Sequence, residues 1–415
     1  MELNTLMDVD LVAVESEDEV TVMLELTAPA QASDVPRAPA AIQVVLDRSG
    51  SMAGERLEAA CVALAELVER LDPADRLGVV AFDDEVEVVI PAGPVLDKAA
   101  ARAAVLRIAP RGSTNLSSGL LRGLLEAQRA AVAGGATLLL LSDGHANIGV
   151  TSAEALEAVA ARARRHGVTT STVGIGLGYD ETLLAAIARG GQGTHAFAED
   201  GDGAGTVLAG EVAGLLSKTV QAASLIIRPK ASVQTVTIWN DLPSQPVERG
   251  VMIELGDLWA GEARKLLLSF AVPAMPGLGL AEIAALELRY VAVPEFTEET
   301  VTLPLHVNVV PGDQAAGRVR DAKVQSELLF QQAQDAKRRA ADALNRGDAT
   351  SALAAYGAAG EAIAAAPAAG SAELREEAAI IAELARRVTA GDTVWSAKRA
   401  RAEHARKSRK RGREG

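Results

Sequence analysis

Cysteine and aromatic side chains are scarce in this chain. A single cysteine among 415 residues, Cys61, excludes an intrachain disulfide framework and a cysteine-built zinc site, and fits a reducing compartment. Aromatics make up 3% of residues against 49% hydrophobic, so a core has to be built from Ala, Val, Leu and Ile. No apolar run reaches membrane-spanning length without a charge, and the first eight residues lack the basic and apolar regions of a secretory signal. Both absences point to a cytoplasmic protein. The net charge of −14 argues against a general nucleic-acid binder. Neither Gly-x-Ser-x-Gly, His-Glu-x-x-His nor a P-loop occurs, so the common hydrolase, zincin and ATPase motifs are missing.

What is present is ordered along the chain. Residues 8–14 and 20–27 alternate in polarity and predict two strands joined by an acidic turn at 15–19, with a Pro-containing linker over 31–40. From about 41 to 220, strand-length apolar runs alternate with amphipathic helical stretches. That pattern predicts an α/β domain, a doubly wound and mostly parallel sheet covered on both faces. Residues 77–82 and 86–90 sit too close for a crossover and predict a hairpin with one antiparallel edge strand. Residues 222–311 return to strands punctuated by Pro and Gly. They predict a β-sandwich that the N-terminal strands join, with the α/β domain inserted into it. An Ala-rich helical array follows, with Asp348 placed to cap its second helix. The expected division is 1–39 for the N-terminal strands, 40–221 for the α/β domain, 222–312 for the sandwich, 313–395 for the helices and 396–415 for a basic disordered tail.

The chemistry concentrates at strand ends. Asp47-Arg48-Ser49-Gly50-Ser51 follows the apolar run 42–46 and delivers one carboxylate and two hydroxyls from one tight loop. Gly112-Ser113-Thr114-Asn115 precedes a helix, and Ser142-Asp143-Gly144 ends another apolar run. In a doubly wound sheet such ends meet where the strand order switches. Asp47, Ser49, Ser51, Thr114 and Asp143 would then offer two carboxylates and three hydroxyls, an all-oxygen set suited to Mg²⁺, with Mn²⁺ and Ca²⁺ as alternatives. So few anionic ligands leave an open position for a carboxylate from another molecule. The competing use of these hydroxyls is capping, Ser51 on the following helix in particular. Asp83 and Asp84 lie at a strand end where they could make supporting contacts to the site, but a solvated turn is the preferred reading; His145 reads as a surface-loop residue at the rim, and Asp200-Gly201-Asp202-Gly203 as a loop without calcium-site spacing.

Asp47-x-Ser49-x-Ser51, Gly112-Ser113-Thr114-Asn115-Leu116 and Leu141-Ser142-Asp143-Gly144-x-x-Asn147-x-Gly149 together resemble the von Willebrand factor type A (VWA) family over about residues 40–220. The resemblance implies a Rossmann-like domain with a metal-ion-dependent adhesion site, at which Asp47, Ser49, Ser51, Thr114 and Asp143 match the metal positions. It also implies that Asp143 often acts through water and that a partner's Asp or Glu completes the coordination. The flanking regions are similar to bacterial intracellular and inter-alpha-inhibitor-like members. The expected function is a non-enzymatic, Mg²⁺-dependent protein-binding scaffold or adaptor. One alternative is an adaptor for a separate AAA+ ATPase of the MoxR or chelatase type. Another is a Mg²⁺-dependent phosphoryl-transfer hydrolase with Asp47 as nucleophile, weakened by Ser49 standing where a second carboxylate would help. The basic tail suits an anionic partner.

Overall fold

In this computed structural model, described for residues 1–31, 36–144, 146–199, 201–231, 233–366 and 371–408, β1 (Glu2–Met7) pairs antiparallel with β3 (Asp18–Thr27). β2 (Leu11–Ala13) does not pair with β3 across the acidic turn, as the alternation suggested. It runs parallel to a strand near residue 309, in another sheet. The chain divides into two compact units: residues 31–221 with 293–296, and residues 1–30, 222–292 and 297–415.

The first unit is the expected α/β fold. Its elements are β4 (Ala41–Asp47), α1 (Glu55–Arg70), β5 (Arg76–Phe82), β6 (Val86–Pro94), α2 (Lys98–Leu106), α3 (Leu116–Ala130), β7 (Ala136–Ser142), α4 (Ala153–Arg165), β8 (Val168–Ile175), α5 (Glu181–Gly190), β9 (Gln192–Ala198) and α6 (Gly201–Leu216). The strand order is β6-β5-β4-β7-β8-β9, parallel except for β6, which lies antiparallel on the edge. Every residue of β4, β7 and β8 is buried, because helices cover both faces. Val44 and Leu46 of β4 pack with Leu57, Leu64 and Val68 of α1 on one face, and Val45 packs with Leu120 and Leu124 of α3 on the other. The chain leaves β4 for β5 on one side and later fills β7 on the other. The switch point therefore falls at the carboxyl end of β4.

The second unit holds the remaining strands, β10 (Lys218–Pro229), β11 (Thr235–Ile238), β12 (Ser244–Val247), β13 (Gly250–Trp259), β14 (Ala263–Val272), β15 (Gly279–Ala292) and β16 (Thr297–Val310). They form a four-stranded sheet, β1-β3-β14-β11, and a six-stranded sheet, β12-β13-β10-β15-β16-β2. Among the described residues five helices follow: α7 (Gly312–Ala316), α8 (Ala322–Asn345), α9 (Ala349–Ala364), α10 (Ala372–Thr389) and α11 (Thr393–Ser408). Asp348 caps α9 by accepting from the Ser351 amide at 2.9 Å. Val324 of α8 packs on Met23 and Leu267, so the helices share a core with the four-stranded sheet.

Over residues 396–408 the expectation of a disordered basic tail is corrected, because that stretch belongs to α11. Lys407 Nζ stands 3.1 Å from Glu403 and 3.2 Å from Glu377, and the Arg401 guanidinium pairs with Asp342. His404 Nδ1 is 3.0 Å from the Gln334 carbonyl. Opposite charges on neighbouring helices, which composition does not reveal, order this segment. Residues 409–415 lie outside the described residues, as do His145 and Asp200.

Candidate metal centre

Pairing of Leu46 with Leu141 brings the ends of β4 and β7 side by side. Ser142 Oγ donates to Asp47 Oδ2 at 2.6 Å, and the Ser49 amide donates to Asp47 Oδ1 at 2.8 Å. A short 3-10 turn, Gly50–Met52, then places the Ser49 and Ser51 hydroxyls 3.2 Å apart. Ser51 Oγ donates to Asp143 Oδ1 at 2.7 Å. The loop carrying Thr114 is drawn in by the Gly50 amide on the Gly112 carbonyl, 3.1 Å, and the Arg111 amide on the Arg48 carbonyl, 2.8 Å. Gly112 adopts φ +66°, and a Cβ there would fall 1.8 Å from Asp84 Oδ1, so this close approach requires glycine. A Cβ on Gly144 would stand 3.1 Å from Thr114 Oγ1 and 3.6 Å from Ser51 Oγ. Gly144 therefore leaves a cradle open between hydroxyls from two separate loops. All five residues singled out in the sequence meet at this strand end.

The capping alternative does not hold. Ser49 precedes the 3-10 turn without a side-chain cap bond, and the N-cap of α1 is Gly54, not Ser51. Asn115, not Thr114, caps α3, accepting from the Ser118 amide at 3.2 Å.

Asp47 is fully buried and Asp143 is 1% exposed. Burial pushes the Asp47 carboxyl above its ordinary range; bonds from Ser142 and Ser49 oppose the rise, and neighbouring Asp143 adds to it. The Asp47 carboxyl is thus short of a compensating positive charge. Its donors fit a hard divalent cation: two carboxylates and three hydroxyls, all oxygen, around a cradle that a single methyl group would fill. Among the described residues no group of three or more His, Cys, Asp or Glu side chains is arranged to hold a metal, so a softer nitrogen or sulfur site has no candidate there.

Asp83 is not a solvated turn residue. It is 1% exposed, and its Oδ2 accepts from Arg48 Nε and from Arg111 Nε, each at 2.7 Å. Burial alone would raise its carboxyl, but the Glu85 amide, Arg111 and Arg48 outweigh burial and hold it below the usual carboxylate range. Arg48 lies inside the first motif and Arg111 leads into the second, so Asp83 ties the two loops together. No spacing in the sequence marks this role. Asp83→Ala strips the buried Arg48 of one partner while Glu87 Oε2 remains at 2.5 Å. We expect a loss of about 2–3 kcal/mol in urea unfolding, below the full cost of orphaning a buried ion.

Parallel strands, an antiparallel edge and oxygen donors at the switch point define a Rossmann-like domain with a candidate cation site. Residues 42–205 match the model of the von Willebrand factor type A domain. The chain therefore contains a VWA domain. It is 30% identical over 280 residues to the uncharacterized protein sll0103 of Synechocystis, and 26% identical over 225 residues to the uncharacterized protein YfbK of Escherichia coli. The matches take in 64% and 54% of this chain but only 65% and 35% of those relatives' lengths. Human inter-alpha-trypsin inhibitor heavy chain H3 is 32% identical over 133 residues, 30% of this chain and 15% of that protein. The solved structure of von Willebrand factor type A from Catenulispora acidiphila superposes with a TM-score of 0.70 at 19% identity, covering 99% of this chain and 97% of the other. The ArnB paralog VWA2 from Sulfolobus acidocaldarius gives 0.62 at 15% identity, covering 99% of each. The likeness in fold thus takes in the strands and helices outside the VWA domain as well.

Proposed function

We propose that this protein is a non-enzymatic, metal-dependent protein-binding module. The observation that carries this reading is the convergence of Ser49, Ser51 and the Gly144 cradle on Asp47 and Asp143, with none of the three motif hydroxyls spent on a cap. Asp47, Ser49, Ser51, Thr114 and Asp143 would hold the ion, Mg²⁺ by donor chemistry. When bound, the ion supplies an electrophilic position for a partner's Asp or Glu. Ser142 and the Ser49 amide fix the Asp47 carboxylate, and Asp83 holds the two loops in register.

We read the four- and six-stranded sheets as the layers of a β-sandwich interrupted in sequence by the VWA domain. Pairing of β3 with β14, from either side of that domain, supports this. The motif set favours partner binding over turnover. A phosphoryl-transfer site would want a second acid or base beside Asp47, and position 49 supplies a hydroxyl.

The test is affinity capture from native lysate in Mg²⁺, in EDTA, and with Asp143→Ala in Mg²⁺. The expected result is a partner retained at least tenfold better by wild-type protein in Mg²⁺ than in either other arm. Equal retention in all three arms would move the interaction away from this site and sink the proposal.

A further inference from the structure

Arg56, on the first turn of α1, reaches back over the cluster. Its Nη1 lies 2.6 Å from Asp143 Oδ2 and 3.4 Å from the Ser51 carbonyl. The other face of the guanidinium rests on Gly176 in the turn after β8, where a Cβ would come within 2.9 Å of Nη2. The side chain is thus seated between a glycine and a buried carboxylate, although it is 39% exposed. Asp143 is engaged on both oxygens: Oδ1 accepts from Ser51, and Oδ2 is taken by Arg56.

These two partners are not equivalent. Ser51 is itself an oxygen donor and can turn its proton away while its lone pair faces a cation. The guanidinium is a donor only, with no lone pair to offer a cation. Whatever charge Arg56 draws from Asp143 is unavailable to a cation in the cradle. Two positive centres sharing one carboxylate also repel at short range.

We propose that Arg56 is a built-in competitor for the metal ion at Asp143 and sets the affinity of the site. The proposal rests on the metal-binding reading above. It makes Arg56 a positioning residue for Asp143 and not a ligand. An ion able to displace the guanidinium from Asp143 would free a cation at the rim of the site, beside the position where a partner carboxylate would arrive.

The test is a Mn²⁺ titration of the full chain, with free ion followed by electron paramagnetic resonance, on wild type, Arg56→Met, Arg56→Lys and Asp47→Ala. Arg56→Met keeps the aliphatic stem and removes the charge. Exposure of the head group and its place outside the core leave the fold intact, which a thermal melt in EDTA checks. The expected result is Mn²⁺ binding about tenfold tighter in Arg56→Met than in wild type, from the loss of one near cation in a partly screened setting. Arg56→Lys, which keeps the charge, should stay within about threefold of wild type. In an Asp143→Asn background the gain from Arg56→Met should vanish, because the competition runs through that carboxylate. Equal or weaker affinity in Arg56→Met, with wild type binding and Asp47→Ala not, would overturn the role of Arg56 and leave the site standing. Absence of Mn²⁺ binding in wild type and Arg56→Met alike would overturn the metal reading and this proposal with it.

Discussion

Asp47→Asn is expected to make the protein more stable in EDTA and to abolish its stabilisation by divalent cations. The Asp47 carboxyl is fully buried, 2.6 Å from Ser142 Oγ, and its pKa is raised chiefly by burial. A carboxyl raised in the folded state binds more protons there than in the unfolded chain. The stability it contributes is complete below the unfolded pKa and is lost as pH rises through the folded value. At neutral pH ionised Asp47 is therefore a net cost unless a cation offsets it. Asn keeps the acceptor for the Ser49 amide, and its NH₂ can donate to Ser142 Oγ. Removing the buried charge should raise stability in EDTA by about 1–2 kcal/mol. The loss on going from acid to neutral pH should flatten in the variant. Wild-type protein at ~100 times the dissociation constant of Mg²⁺ should gain about 2.7 kcal/mol by mass action; the variant should gain nothing. Urea unfolding at neutral and mildly acidic pH, in EDTA and in Mg²⁺, reads all three effects. A variant that loses stability in EDTA and still responds to Mg²⁺ would refute the assignment of Asp47.

The α/β part of this fold was legible because its signals are local and repeat. β4 and β7 are continuous apolar runs, since helices cover both faces, and their ends carry the polar motifs. The five candidate residues could be picked out and converge in the fold because each of the three motifs lies on one tight loop, and sheet order brings the loops together. What escaped depended on partners distant in sequence. β1 is half exposed and gives a weak alternation; its place is fixed by pairing with β3. β2 and β3 look like a hairpin across an acidic turn, yet β2 is taken by β16. α2 is a short, Ala-rich run of nine residues, held by Ala101 and Val105 on the α1 side of the sheet. Asp83 and Arg56 look like ordinary surface charges in sequence. Only the folded chain sets them against Arg48, Arg111 and Asp143.

The same blindness to distant partners hid the charges that hold α11, and there the expected effect of substitution is large. Lys337 of α8 is fully buried, in direct contact with Glu377 of α10, also fully buried, and 3.9 Å from Glu403 of α11. Burial pushes the Lys337 ammonium below the ordinary lysine range, while Glu377 and Glu403 oppose that shift. Lys407 joins the same two carboxylates at 3.2 and 3.1 Å, and Arg399 reaches Glu403 at 3.0 Å. Lys337→Met removes a cation with no access to water and leaves Glu377 dependent on Lys407. Breaking a buried pair from one side costs about 3–5 kcal/mol, because the remaining charge stays desolvated. Removing both sides is different: in Lys337→Met/Glu377→Leu the buried volume stays apolar, and Glu403 keeps Lys407 and Arg399. That double variant should recover most of the loss and can equal wild type. Urea is the denaturant of choice, since guanidinium salt would screen the very term being measured. Hydrogen exchange should show the single variant opening along α10 and α11 while the VWA domain keeps its protection. A single variant within 1 kcal/mol of wild type would mean that these charges are solvated, and α11 would then have to be held by its apolar contacts and by the Arg401 and His404 contacts to α8.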